Sequence, residues 1–103
     1  MSRVLLTSQA AVADPQRGAY LATMAAFAGR LEARGVHCWL FEQRDRPGTF
    51  VEFVEGPGDP LPTGEAADPA EAALMAHLAT LARYREPRHE RWDAVPLTSP
   101  TRS

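Results

Sequence analysis

Apolar residues recur along this chain with two periods, and the clearest stretch is Val36–Glu55. Side chains alternate along a strand, so Val36, Cys38 and Leu40 point one way and His37, Trp39 and Phe41 the other. Val36–Glu42 is therefore a strand built to be covered on both faces. Asp45, Pro47 and Gly48 supply a reversal. The return strand, Thr49–Glu55, places Val51 and Phe53 on one face. Phe50, Glu52 and Val54 share the other, so Glu52 lies on a mostly apolar face.

Before this hairpin, Val4–Gln9 reads as a short strand. Asp14 is placed to cap a helix and Pro15 to occupy its first turn. Tyr20, Leu21, Met24, Phe27, Ala28 and Leu31 then fall within an arc of roughly 120°, which predicts a helix from about Pro15 to Arg34. Gly35 stops it. After the hairpin, Gly56–Ala67 is rich in glycine and proline and reads as a long loop, an insertion or a lid. Asp68 caps a second helix, with Pro69 in its first turn and Glu71 placed to reach back as in a capping box. Leu74, Leu78 and Leu81 form its stripe, and it should end near Tyr84. Arg91–Leu97 reads as a last strand.

Two helices thus open with Ala-Asp-Pro, at 13–15 and 67–69, each between strands. This β-α-β doubled over a hairpin predicts an α+β, ferredoxin-like βαββαβ domain over residues 1–97, with a flexible tail at 98–103. The expected sheet is antiparallel and four-stranded, in the order 4-1-3-2, with both helices on one face. Val36–Glu42 is then an edge strand. Trp39 and Phe41 on the bare face would expose on the order of 300 Å² of apolar area. A second copy packed sheet to sheet is the simplest cover, so a homodimer is expected.

Charge and composition narrow the options. A net charge of −2 argues against a general polyanion binder such as a nucleic-acid protein. All basic residues are arginine, so the phosphate loop that depends on lysine is excluded; no GxGxxG follows a strand either. The single cysteine, Cys38, excludes an internal disulfide and reads as a small buried hydrophobe. No apolar run suits a signal peptide or a membrane span, so the chain is expected to be cytoplasmic.

The layout resembles the dimeric α+β barrel proteins, which include the antibiotic-biosynthesis monooxygenase-like domains. The resemblance lies in "GVHCWLFEQRDRPGTFVEFVEG", residues 35–56, which is similar to their central hairpin, and in "ALMAHLATL", residues 73–81, which is similar to their second helix. It implies a site between sheet and helices. Haem-degrading members use a histidine on the second helix, an asparagine on the first strand and a tryptophan just after the third. Here His77 matches by position, but the first strand offers Ser8 and Gln9, and Gly56 stands near the tryptophan's place. Haem degradation is not expected, and no cofactor is assigned.

His37 and Glu52 are the candidate catalytic residues, as a His–Glu pair across the hairpin serving general-base chemistry. Each also has a structural reading, as interface hydrogen bonder or dimer-specifying contact. Trp39, Phe41, Phe50, His77 and Tyr84 are candidate ligand-binding residues. The plainer reading of His77 is a boundary histidine with a satisfied hydrogen bond, and that of His89 a solvated one. The histidines lack metal-ligand spacing, so no metal is assigned. Arg83, Arg85, Arg88 and Arg91, interleaved with Glu86 and Glu90, read as a solvated charged turn. Three functions remain open: a barrel that binds a small apolar or aromatic molecule or is purely structural; a cofactor-independent monooxygenase-like enzyme for an aromatic or polyketide-like substrate; and an interaction module of a larger assembly.

Overall fold

In the computed structural model, residues 3–62 and 67–97 are described. β1 (Arg3–Ala11) leads through a single 3-10 turn at Asp14–Gln16 into α1 (Arg17–Ala33). The chain continues through β2 (His37–Glu42), β3 (Thr49–Pro57), α2 (Pro69–Leu81), β4 (Arg83–Tyr84) and β5 (Glu90–Asp93). The sheet is antiparallel, with β2 beside β3, β3 beside β1, and β4 and β5 along the outer edge of β1. This is the expected ferredoxin-like order. Its fourth position is divided, however: β4 pairs with Ala10 and Ala11, and β5 with Val4–Thr7.

Where expectation and structure part, a competing partner explains most of it. Asp14 does not cap α1, because it sits inside the 3-10 turn that Gln16 N closes on the Ala13 carbonyl at 2.8 Å. Asp68 does cap α2, accepting from Ala70 N at 2.8 Å and Glu71 N at 3.1 Å. Glu71 turns away from the cap to the guanidinium of Arg34 at the end of α1, with both contacts at 2.8 Å. Tyr84 leaves the helix for a strand, since the open edge of β1 at Ala10 offers it a backbone partner. Leu21, expected on the buried stripe, is exposed. Thr23 is buried instead, donating to the Ala19 carbonyl at 2.7 Å.

The core lies between the sheet and the two helices. Tyr20, Met24, Phe27 and Leu31 of α1 and Leu78 of α2 pack on Val4, Leu6, Ala10, Val36, Cys38, Phe50 and Val54. Full burial of a side chain such as Leu31 or Leu78 contributes about 1.5–3 kcal/mol. Two glycines carry positions that a side chain would spoil. Gly35 takes φ 82° just past α1, and Gly48 takes φ 90° in the hairpin turn. A Cβ on Gly48 would meet the Val12 carbonyl oxygen at 2.7 Å. The described part of the 56–67 loop folds down on the core rather than over the bare face. Pro60 and Leu61 are buried, and Arg34 donates to the Pro60 carbonyl at 2.7 Å. The 98–103 tail lies outside the described residues. Among them, no helix is long and apolar enough to cross a membrane.

Candidate functional site

The pleat decides which candidates can meet. In the β2–β3 ladder His37 stands opposite Glu55, Trp39 opposite Phe53 and Leu40 opposite Glu52. Side chains opposite one another share a face, and neighbours along a strand do not. Glu52 is therefore on the helix-covered face with Leu40 and Cys38. His37 is on the bare face with Trp39 and Phe41. The His37–Glu52 pair expected across the hairpin does not form, because the sheet itself lies between them.

Glu52 instead anchors a polar centre between sheet and helices. It is only 5% exposed, yet both tyrosine hydroxyls of the chain donate to its Oε2, from Tyr20 at 2.7 Å and Tyr84 at 2.6 Å. Three elements converge here: α1 brings Tyr20, β3 brings Glu52 and β4 brings Tyr84. Ser8 of β1 is also buried and lies directly across the ladder from Glu52. Desolvation drives the Glu52 carboxyl above its ordinary range, against the opposing pull of the two phenols and of Arg88. Burial, reinforced by that carboxylate, pushes both tyrosines up. It pushes the Cys38 thiol up to about 11, which marks it as an unreactive core group.

The sequence pattern gives two residues of this centre other roles. It places Tyr20 only on the helix stripe. Its polar tip was the available signal, since a buried phenol needs a hydrogen-bond partner and Glu52 needed one too. The sequence pattern places Arg88 in a solvated turn. In the structure its guanidinium lies 4.1 Å from the centre of the Tyr84 ring, and Nη2 donates to the Met75 carbonyl at 3.0 Å. Nothing in the local pattern distinguishes Arg88 from Arg85 or Arg91. His89 beside it is half-buried rather than solvated, and burial, with Arg88, lowers its pKa.

The other candidates separate into distinct environments. Phe50 is in the core, 4.9 Å from Tyr20 ring to ring, with the Arg17 guanidinium 5.4 Å above it. Arg17 pairs with Glu42 at 2.5 and 2.7 Å, and Glu42 also accepts from Gly48 N at 2.8 Å. This clamp ties α1 to the hairpin turn and lowers the Glu42 pKa to about 2. His77 is exposed on α2, and its carbonyl accepts from Thr80. On the bare face His37 stacks on Trp39 at 5.8 Å and Phe41 meets Phe53 edge-on at 5.5 Å. Trp92 joins them from β5, donating to Thr7 Oγ1 at 2.9 Å. Among the described residues, no group of three or more His, Cys, Asp or Glu side chains could hold a metal ion.

Several open cavities lie at the hairpin end of the sheet, and two of them flank Gln9. One, of about 340 Å³, is lined by Phe41, Phe50, Val51 and Gln9 among others. The second, of about 230 Å³, shares Gln9 and Thr49 with it and is bounded by Tyr84, Arg83 and Arg85. Its Gln9, Ala11, Thr49, Arg83 and Arg85 are bare-face positions, so it opens on the face of the sheet opposite Glu52.

No protein-family model matches the chain, and no curated protein matches it. Solved structures do match in shape. A conserved protein of unknown function from Bacteroides thetaiotaomicron superposes with a TM-score of 0.74 at 17% identity, over 90% of this chain and 98% of that one. SnoaB, a cofactor-independent oxygenase from Streptomyces nogalater, gives a TM-score of 0.63 at 19% identity, over 97% and 99%. A further structure described as an antibiotic biosynthesis monooxygenase gives 0.64 at 17%, over 90% and 99%. The chain thus has the ferredoxin-like fold of the antibiotic-biosynthesis monooxygenase-like proteins. At these identities the likeness is one of fold.

Proposed function

We propose that this chain forms a homodimeric α+β barrel that binds a small aromatic molecule bearing an acidic hydroxyl, with the Glu52 centre as the polar contact. The observation that carries the reading is the Glu52 carboxylate, buried between sheet and helices and already bonded to two phenols. Burying a carboxylate costs several kcal/mol of desolvation and is a poor route to stability. An acceptor that holds two phenolic hydroxyls suits a third, on a ligand. Trp39, Phe41 and Trp92, each about half exposed, support the dimer, since a face of this kind is covered most simply by its own copy. Calorimetric titration with 4-nitrophenol tests the ligand reading. Binding should be measurable in the wild type and lost in Glu52→Gln, and equal binding by both proteins would sink it. Sedimentation tests the dimer, which a stable monomer at micromolar concentration would exclude.

A second reading, cofactor-independent oxygenation, is favoured by the raised pKa of Glu52 and by the shared fold with SnoaB. A carboxylate of raised basicity can take the hydroxyl proton of an electron-rich phenol. The resulting anion is itself the reductant for dioxygen, so the substrate supplies the electrons. Oxygen uptake with a panel of such phenols, abolished by Glu52→Gln while the dimer persists, is the expected result. His37 acts in neither reading as a base. Its place is the subunit seam, where it stacks on Trp39.

A further inference from the structure

Glu52 is surrounded by neutral groups on almost every side. The hydroxyls of Tyr20 and Tyr84 donate to its Oε2, Ser8 lies across the ladder on β1, and the Cys38 thiol on β2 stays protonated. Arg17 of α1 passes over Phe50, but both of its terminal nitrogens are taken by Glu42. A carboxylate so placed tends to take up a proton. Burial disfavours its charged form, and the two phenols offset that only in part.

Arg88 is the exception. Its guanidinium lies 4.1 Å from the centre of the Tyr84 ring, and the hydroxyl of that ring donates to Glu52 at 2.6 Å. Cation, ring and carboxylate thus stand in series. A phenol that donates to an anion gains electron density, and an electron-rich ring face attracts a cation more strongly. The arginine is seated for this arrangement more than for its own hydrogen bonds. Nη2 donates to the Met75 carbonyl of α2 at 3.0 Å, while Nε is buried and meets no acceptor among the described residues. An arginine in a turn can rotate its donors into water. Keeping one buried and unanswered has a cost, which the ring and the attraction to Glu52 must offset.

We propose that Arg88 is a positioning residue of the Glu52 centre: its charge, delivered across the Tyr84 ring, holds Glu52 as a carboxylate and therefore as a hydrogen-bond acceptor. This rests on reading Glu52 as the acceptor for a ligand hydroxyl. A protonated Glu52 would present a donor of its own and would not draw a phenolic proton. Arg88 is what keeps the buried acid usable for either task.

Carbon-13 NMR of the side-chain carboxyls tests this without a ligand, the Glu52 signal being identified by its loss in Glu52→Gln. Arg88→Met removes the charge and keeps the stem over Tyr84. It is expected to raise the ratio of protonated to ionised Glu52 about fivefold at a given pH, the effect of one opposite charge at this range. Arg88→Lys keeps the charge without the planar fork and is expected to stay within about twofold of the wild type. A rise in Arg88→Lys as large as in Arg88→Met would mean that Arg88 acts only by shaping the site around Tyr84, and would overturn the charge role. An unchanged ratio in Arg88→Met would overturn it as well. Tyr20 is fully buried beneath α1, so its ring signals report whether a variant keeps the fold. If Arg88→Met does not, Arg88→Gln, which keeps a donor for the Met75 carbonyl and drops the charge, is read by the same ratios. Failure of 4-nitrophenol to bind would overturn the ligand reading and leave these ratios as they are.

Discussion

The two faces of the sheet carry similar amounts of apolar side chain, and they differ in how their polar groups are answered. On the helix-covered face Glu52 is bonded by Tyr20 and Tyr84, and at its margin Glu71 is bonded by Arg34. On the bare face the polar groups are ordinary and the apolar ones are left open to solvent: Trp39, Phe41 and Trp92 are 46%, 56% and 54% exposed. A buried carboxylate held by two phenols and an aromatic sheet face without cover are opposite departures from an ordinary surface strand. The first is resolved within one chain. The second calls for another surface.

The largest effect expected on either face is in the core. Leu78→Ala, at a fully buried site, should cost about 2–5 kcal/mol and lower the midpoint of thermal unfolding by on the order of 10–20 °C. Scanning calorimetry at fixed protein concentration measures it. A loss below about 1 kcal/mol would mean that α2 is not held to the sheet as described. Next, Trp39→Ala should weaken the dimer by about thirtyfold, the scale of an interface hot spot, with the helical circular-dichroism signal unchanged. Sedimentation over a concentration series reads this, and an unchanged dissociation constant would place the interface elsewhere. Tyr20→Phe removes one of the two donors to Glu52 and should cost about 1–3 kcal/mol in urea unfolding.

Two carboxylates on adjacent strands should respond to pH with opposite sign. Glu52 has a folded pKa above its unfolded one, so the folded state holds the proton more tightly. Its contribution to stability is full below the ordinary carboxylate range and is lost as pH rises through the raised value. Glu42, held down to about 2 by Arg17 and the Gly48 amide, stabilises above the ordinary range and loses that contribution as pH falls toward 2. Urea unfolding of Glu52→Gln across pH 3–8 should therefore lose the decline toward neutral pH and keep the acid limb, whereas Glu42→Gln should flatten the acid limb alone. Parallel curves for the wild type and both variants would contradict these assignments. The smallest effect is at the α2 cap, where Asp68→Ala should cost about 1 kcal/mol.

Much of the architecture was legible because it rests on local chemistry. The apolar run at 36–42, period-two alternation at 49–55, the Pro-Gly reversal and the helix stop at Gly35 all act over a few residues. Together with the handedness of crossovers they lead to the sheet order observed. The errors fall where a distant group competes for a local one. Glu71 suits a capping box until Arg34 is placed opposite it, and Tyr84 continues a helical pattern until the edge of β1 is within reach. The candidate site was legible in part. Glu52 stood out as a carboxylate on an apolar face, but pairing it with His37 required a register one residue away from the one formed, in which His37 stands opposite Glu55 and Leu40 opposite Glu52.

Taken alone, then, the sequence determined the elements, their order, the two-sided apolar hairpin and the need for some partner at Glu52. Periodicity, turn stereochemistry and the cost of an unpaired buried charge are properties of the chain itself. The tertiary structure decided who that partner is. Tyr20, Tyr84 and Arg88 lie 32, 32 and 36 positions from Glu52 along the chain. No local pattern relates residues so far apart. Only packing α1 and the broken edge strand against one sheet face brings two phenols and a guanidinium to the same carboxylate.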